Sequence, residues 1–304
     1  MMANKILSKV WLVVIMIMSQ IVFSQAQDQG KIKVVLSGGT EITDIGPGCE
    51  VSINLFKDAF DYIALMTEME VDYTFCTGSN FNKEYILQAV EDVDHDTYDA
   101  IVFFNSSHGF NYLNTPSKHT FFVAHPTAAG SMSAEQFKNY GVSLEKEIYK
   151  KLKKKGAPVV LVFSESCNKE INMEAPPMYK TMNPNIAARL KELFQGTEAH
   201  VISSSSEYGQ YSYTDNEKGG IYVNSLLHAM NDVTTTCDKS AWDKVMVLTR
   251  KYVMDYSKDL DGGQAAIYDI EDATPISLEE PETTEKPKKK KKAKYIQSGI
   301  KLKN

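Results

Sequence analysis

The sequence lacks several patterns that identify common catalytic and binding proteins. It contains no C-x-x-C pair and no cysteine–histidine cluster with zinc-ligand spacing. It also lacks a Gly-x-Ser-x-Gly nucleophile elbow and a glycine-rich phosphate loop. An α/β hydrolase of the serine type, or a ligand-binding protein on the same kind of sheet, is therefore the lowest-ranked hypothesis for this chain.

Cysteine is scarce, with four residues in 304. Cys49, Cys76, Cys167 and Cys237 are widely spaced, and a chain of this length does not need disulfides to stabilise its core. A Cys49–Cys76 bridge remains an open alternative. We expect Cys167 to be a free thiol.

The only apolar run near transmembrane character lies at the N-terminus. Lys5 and Lys9 precede the nine-residue stretch from Val10 to Met18, and Ser24-Gln25-Ala26 supplies small residues for cleavage. The pattern predicts a signal peptide over residues 1–26, and hence a secreted or periplasmic protein. An uncleaved anchor is the alternative.

Acidic residues dominate the body of the chain. Residues 27–285 contain 22 basic and 39 acidic residues, which argues against nucleic-acid binding and favours basic ligands or substrates. An acidic linker and the lysine run Lys288–Lys292 then predict a disordered tail over 273–304. The tail could contact an anionic surface or partner, although a solvated tail with no partner is the alternative that we favour.

Short apolar runs alternate with segments of helical periodicity, which predicts an α/β fold with a doubly wound, mostly parallel sheet flanked by helices. We assign the domain to residues 27–272, with residues 105–140 as a long loop. The predicted strands are 31–37, 71–76, 98–104, 158–164 and 199–204, and the predicted helices are 50–69, 82–93, 143–154, 184–195, 220–230 and 240–257.

A histidine and a cysteine follow two of these strands directly. His108 comes after the strand at 98–104, and Cys167 comes after the strand at 158–164. Open α/β sheets build their sites at the carboxyl ends of the strands. A thiol and a base at this edge predict a cysteine hydrolase.

Three segments resemble the caspase-like cysteine peptidases, which include caspases, metacaspases and their bacterial relatives. These segments are His108-Gly109, Glu165-Ser166-Cys167, and a third segment that runs from Val201 to Ser206 and continues through Gly209 to Tyr213 and Gly219 to Tyr222. The resemblance covers roughly residues 30 to 257. It implies a caspase-like fold and an endopeptidase that acts on peptides or proteins.

The resemblance also implies a role for each matching residue. Cys167 would attack the peptide carbonyl, and His108 would protonate the leaving amine. The backbone N–H groups of Gly109 and Cys167 would stabilise the oxyanion. We predict no cofactor and no metal. The other histidines are predicted to be structural or surface residues: His95, His119, His125, His200 and His228.

Specificity follows from the residues two positions before the cysteine and the histidine. Metacaspase-like members carry an acid and a serine there to bind a basic P1 side chain, and this chain carries Glu165 and Ser106. The resemblance therefore predicts cleavage after Arg or Lys. Asp44 and Ser52 are the two candidates for a further pocket residue after the first strand.

The segment after Cys167 departs from the family pattern. It has Asn168-Lys169-Glu170 where the family commonly has a glycine. This departure keeps open an alternative, a catalytically inactive caspase-like module that binds a partner peptide. If the pocket accepts basic residues, Lys169 or Lys180 is a candidate self-processing site.

Overall fold

Six buried or half-buried strands form the central sheet of the computed structural model. It describes residues 29–112, 117–127, 132–166, 169–170, 185–196, 198–237 and 239–271. The signal peptide predicted at 1–26, the predicted tail at 273–304, Cys167, Asn168 and Lys180 lie outside these residues. Within them, no helix is long and apolar enough to cross a membrane.

The strands of the central sheet are β1 (Lys31–Gly38), β2 (Glu70–Thr77), β3 (Ala100–Ser107), β7 (Val159–Ser166), β9 (Ala199–Ser204) and β12 (Ile267–Glu271). Their spatial order is β12-β9-β7-β3-β1-β2, and all neighbours are parallel except β12 and β9. This order confirms the predicted doubly wound, mostly parallel sheet.

Helices cover both faces of the sheet, and residue alternation along the strands decides which face each side chain enters. Phe104 and Phe163 pack on one face, with α1, α5, α6 and α7, whereas Phe103 and Val162 pack on the other, with α2 and α4. The helices are α1 (Gly46–Thr67), α2 (Lys83–Glu91), α3 (Ala134–Tyr140), α4 (Lys150–Lys153, after a π-helical turn at Leu144–Tyr149), α5 (Ile186–Phe194), α6 (Ile221–Thr236) and α7 (Trp242–Ser257).

The prediction of a long loop over residues 105–140 is wrong. Within its described parts the chain forms β4 (Gly109–Phe110), β5 (Phe121–Val123) and α3, and β6 (Gly141–Ser143) completes a small antiparallel sheet. A separate apolar cluster around Phe110, Phe121 and Phe137 stabilises this hairpin. Strands of two or three residues are too short to give a recognisable period.

A second small sheet lies beside the carboxyl edge. It contains β8 (Lys169–Glu170), β10 (Tyr213–Asp215) and β11 (Gly219–Gly220), in the order β11-β10-β8. The segment after Gly209, matched above by resemblance, thus returns to the edge of the central sheet and leads into α6. It brings the start of α6 close to the ends of β3 and β7.

Candidate active site

The ends of β3 and β7 lie side by side. Their last residues, Ser107 and Ser166, are register partners in the parallel pair. His108 follows β3 directly. The sheet therefore brings the predicted histidine to the edge where β7 ends, one residue before Cys167 in the sequence.

Buried polar side chains fix this edge. The Asn105 amide donates to the Ser107 hydroxyl at 3.0 Å and to the Ser164 hydroxyl at 3.1 Å, and the Ser37 hydroxyl donates to the Asn105 carbonyl oxygen at 3.3 Å. These bonds link β1, β3 and β7 just before their carboxyl ends. Satisfied buried networks of this kind make an edge rigid.

The His108 ring is buried and contacts a carboxylate. Only 2% of its side chain is exposed, and its Nε2 lies 3.1 Å from Oδ1 of Asp44. Asp44 lies in the connection between β1 and α1, whose residues Ile42 and Ile45 are buried. Asp44 was one of two candidates for a further pocket residue, and the structure places it against the histidine.

Gly109 begins β4 and lies against the end of β7. The Val123 N–H donates to the His108 carbonyl at 2.9 Å, so Gly109 and Phe122 form a non-hydrogen-bonded antiparallel pair. The Gly109 N–H consequently points away from β5. A Cβ atom at residue 109 would lie 2.4 Å from the Ser166 Cβ, which explains why glycine is needed here.

Gly109→Ala is expected to lower kcat about 10²–10³-fold, because the added Cβ pushes β4 away from β7 and displaces a predicted oxyanion donor. Steady-state hydrolysis of a peptide substrate measures the loss. The matched control is Ser166→Gly, which removes the two nearest atoms that the new Cβ would meet.

The double variant Gly109→Ala/Ser166→Gly should recover part of the lost kcat. An equal loss of kcat in Gly109→Ala and in Gly109→Ala/Ser166→Gly would show that the close approach of β4 to β7 is not the cause of the loss.

Ser106 and Glu165 lie together, as the predicted pocket requires. The Ser106 hydroxyl donates to Oε2 of Glu165 at 3.2 Å, and both side chains are fully buried. They project to the face that carries α1 and α6, two residues beyond Phe104 and Phe163 on their strands. The structure therefore brings together the two residues assigned to specificity.

The start of α6 completes the surroundings of Glu165. The Val223 N–H donates to Oε1 of Glu165 at 3.0 Å, and the Ser52 hydroxyl of α1 also bonds this carboxyl group. Ser52 in turn accepts the Gly220 N–H at 3.0 Å. A Cβ at residue 220 would lie 1.8 Å from the Glu165 carboxylate, so glycine is required for this approach.

Burial raises the pKa of the Glu165 carboxyl, and the hydrogen bonds from Ser52, Val223 and Ser106 oppose this rise. Within the described part of the chain, no lysine or arginine forms an ion pair with Glu165. Among the residues that the structure describes, the donors to this carboxyl group are all neutral. A cation that reached it would gain a buried partner of opposite charge.

Ser52 was a candidate pocket residue from the sequence, and in the structure its hydroxyl bonds the Glu165 carboxyl group. The sequence did not predict the contact of the Val223 N–H with Glu165, because a backbone donor leaves no residue-type signal. The glycines at the entry to α6 were the available sign that the chain comes close to another group there.

Two of the described cysteines, Cys49 and Cys76, are poor nucleophiles. Cys49 and Cys76 are free thiols, so the alternative of a bridge between them is wrong, and burial raises the pKa of each to about 12. Cys237 is half-buried just beyond the far end of α6. An activated thiol needs access and a base, and neither Cys49 nor Cys76 has access to solvent.

Two of the remaining histidines, His119 and His200, are buried. His119 is buried between Asp269, at 2.9 Å, and Ser204, and burial lowers its pKa. His200 is buried in β9. Among the residues that the structure describes, no group of three or more His, Cys, Asp or Glu side chains could hold a metal ion.

A shallow cleft opens on the opposite side of the edge from Glu165. Gly109 and Ser166 form one wall, and Lys118, Glu207 and Tyr208 contribute to the others. Its charged side chains are paired, since Lys118 contacts Asp269 and Glu207 contacts Arg250. The edge is therefore open beside Gly109, whereas the Glu165 side is closed.

A family model described as "Caspase domain" matches residues 46–258, which is more than half of the chain. The chain therefore belongs to the caspase family of cysteine peptidases, and the predicted caspase-like α/β fold is confirmed. No curated protein matches the sequence.

Solved structures give one further comparison. The crystal structure of caspase-1 from Spodoptera frugiperda is similar to this chain, with 12% sequence identity and a TM-score of 0.45. The similarity covers 79% of this chain and 86% of that one.

Proposed function

We propose that this chain is a secreted cysteine endopeptidase that uses Cys167 and His108 and cleaves after Arg or Lys. The observation that carries the proposal is that His108 and Gly109 lie beside the end of β7. Cys167 follows the last residue of this strand in the sequence. A base, a close-packed backbone donor and a following thiol are what acyl transfer requires.

In the proposed reaction, the Cys167 sulfur attacks the carbonyl carbon and forms a C–S bond. The thiol proton passes to His108 and from there to the leaving nitrogen, and the C–N bond breaks. A water oxygen then attacks the thioester, the C–S bond breaks, and Cys167 regains a proton. The Gly109 N–H stabilises the oxyanion in both halves.

The preference for basic P1 residues is argued from Glu165. Its carboxyl group is buried, bonded to neutral donors, and not ion-paired within the described residues. An Arg or Lys side chain entering from the edge would pair with it, whereas an Asp side chain would meet a like charge. Because α1 and the start of α6 cover Glu165, the P1 side chain must displace part of this cover.

A panel of fluorogenic peptides that differ only at P1 tests the proposal. We expect kcat/KM to be highest for Arg or Lys, intermediate for Asn and lowest for Asp. The reduced protein should be assayed with and without calcium. Cleavage after Asp but not after Arg or Lys would contradict the proposed specificity, and no turnover at all would favour the inactive peptide-binding module.

Export, the domain limits at 27 and 272, and surface contact by the Lys-rich tail stay predictions. They rest on the apolar segment before Ala26 and on the lysine run of Lys288–Lys292. N-terminal sequencing of the exported protein checks the first of them, and the expected first residue is Gln27. A sequence beginning at Met1 would contradict cleavage.

A further inference from the structure

The histidine has a charged neighbour that the Cys/His pair alone does not require. Oδ1 of Asp44 lies 3.1 Å from Nε2 of His108. Asp44 is 46% exposed, whereas His108 is almost fully buried, so the carboxylate reaches the ring from the solvent side of the site.

The connection that carries Asp44 is held at both ends. The Gly39 N–H donates to the Ser106 carbonyl at 3.0 Å, and the Gly46 N–H donates to the Ile42 carbonyl at 2.7 Å. The side chains of Ile42 and Ile45 are buried on either side of Asp44. The packing of the connection therefore presents Asp44 to the histidine in a defined place.

The identity of the contacted nitrogen has a chemical consequence. A carboxylate only accepts hydrogen bonds, so a contact with Nε2 selects the form of the ring that carries a proton there. Nδ1 is then the nitrogen that takes the thiol proton and gives it to the leaving amine. The same carboxylate stabilises the doubly protonated ring that forms between these two steps.

We propose that Asp44 is a positioning residue that fixes the tautomer and orientation of His108, the base of the proposed reaction. The proposal rests on the peptidase function proposed above, although its structural part can be measured without turnover. Of the two candidates for a further pocket residue, Ser52 contacts Glu165 and Asp44 contacts the histidine.

Asp44→Asn and Asp44→Ala test the role by two readouts. We expect kcat to fall about 10²-fold with little change in KM, which is less than the roughly 10⁴-fold loss known for a fully buried triad carboxylate, because water can partly replace a half-exposed one. Glu41→Gln is the matched control, since Glu41 is an exposed carboxylate in the same connection. It should leave kcat unchanged.

The second readout is ¹⁵N NMR of the His108 ring in the inactive Cys167→Ala chain. The ring should be protonated at Nε2 with Asp44 present, and Asp44→Ala should shift it to a mixture of tautomers. An unchanged kcat together with an unchanged tautomer in Asp44→Ala would overturn the positioning role of Asp44 and leave the peptidase intact. A chain without any peptidase activity would overturn the proposed function, and the NMR result would then decide the role of Asp44 alone.

Discussion

Cys167→Ala is expected to remove peptide hydrolysis, with a fall in kcat on the order of 10⁴-fold or more. The reason is that the attacking sulfur has no substitute: the Cys49 and Cys76 thiols are buried, with their pKa raised to about 12. Losses of this size follow removal of a nucleophile in covalent catalysis. Initial rates with an Arg-P1 peptide at equal concentrations of folded protein give the measurement.

His108→Ala should cause a loss of similar size, and the double variant should be no worse than either single one. Groups that act in one step are strongly non-additive, because the second removal affects a pathway that is already lost. Losses that multiply in the double variant would mean that Cys167 and His108 act in separate steps, and this would contradict the proposed mechanism.

Cys237→Ala is the matched thiol control. Cys237 follows the C-terminal end of α6, 14 residues after Val223, which contacts Glu165, so the rise of the helix places it about 21 Å from Val223. The variant should keep full activity. If Cys237→Ala were inactive and Cys167→Ala active, the assignment of the nucleophile would be wrong.

Glu165→Gln is expected to abolish the preference for basic P1 residues while leaving a folded peptidase. Removing one partner of a buried charge pair costs about 2–5 kcal/mol, which corresponds to roughly 30- to 5,000-fold in kcat/KM for Arg-P1 substrates. The value for an Asn-P1 substrate should change little. The ratio of the two values is the measurement, because it cancels any general effect on the catalytic groups.

Stability provides an independent check on the same variant. Because burial raises the pKa of Glu165 in the folded chain, ionisation costs stability as the pH rises from the unfolded value of about 4.3 to the raised folded value. Glu165→Gln should therefore gain stability relative to the parent as the pH rises through this window. The gain should be absent at lower pH, and urea unfolding at several pH values measures it.

A different pair of results would show that Glu165 only caps α6 through the Val223 N–H. In that case Glu165→Gln would keep the basic P1 preference and would change only the free energy of unfolding. This outcome would contradict the pocket and leave the nucleophile and base untouched.

The sheet and the site edge could be predicted because each rests on a local signal. The strands that became β3 and β7 are runs of buried residues followed by polar ones, and parallel strands bring their carboxyl ends to one edge. Ser106 and Glu165 share a face because each lies two residues beyond an inward-facing phenylalanine. Alternation along the strands gives this result without any tertiary information.

The contacts that complete the site depend on tertiary structure. Asp44 meets His108 across 64 residues, and the Val223 N–H meets Glu165 across 58. Neither contact leaves a spacing pattern, since the connection after β1 and the start of α6 are brought together by the packing of α1 on the sheet. The edge strand β12 was missed for a similar reason, because four half-buried residues and one exposed residue give little periodic signal.

The central claim is that Cys167 is an activated nucleophile, and covalent labelling tests it most directly. The reduced mature protein should be treated with a peptidyl ketone electrophile that carries Arg at P1, and the adduct located by peptide mass spectrometry. We expect one label per chain, on Cys167, with the labelling rate strongly reduced in His108→Ala. Labelling of Cys237 instead, or a Cys167 that reacts no faster with this reagent than with a simple alkylating agent, would contradict the account.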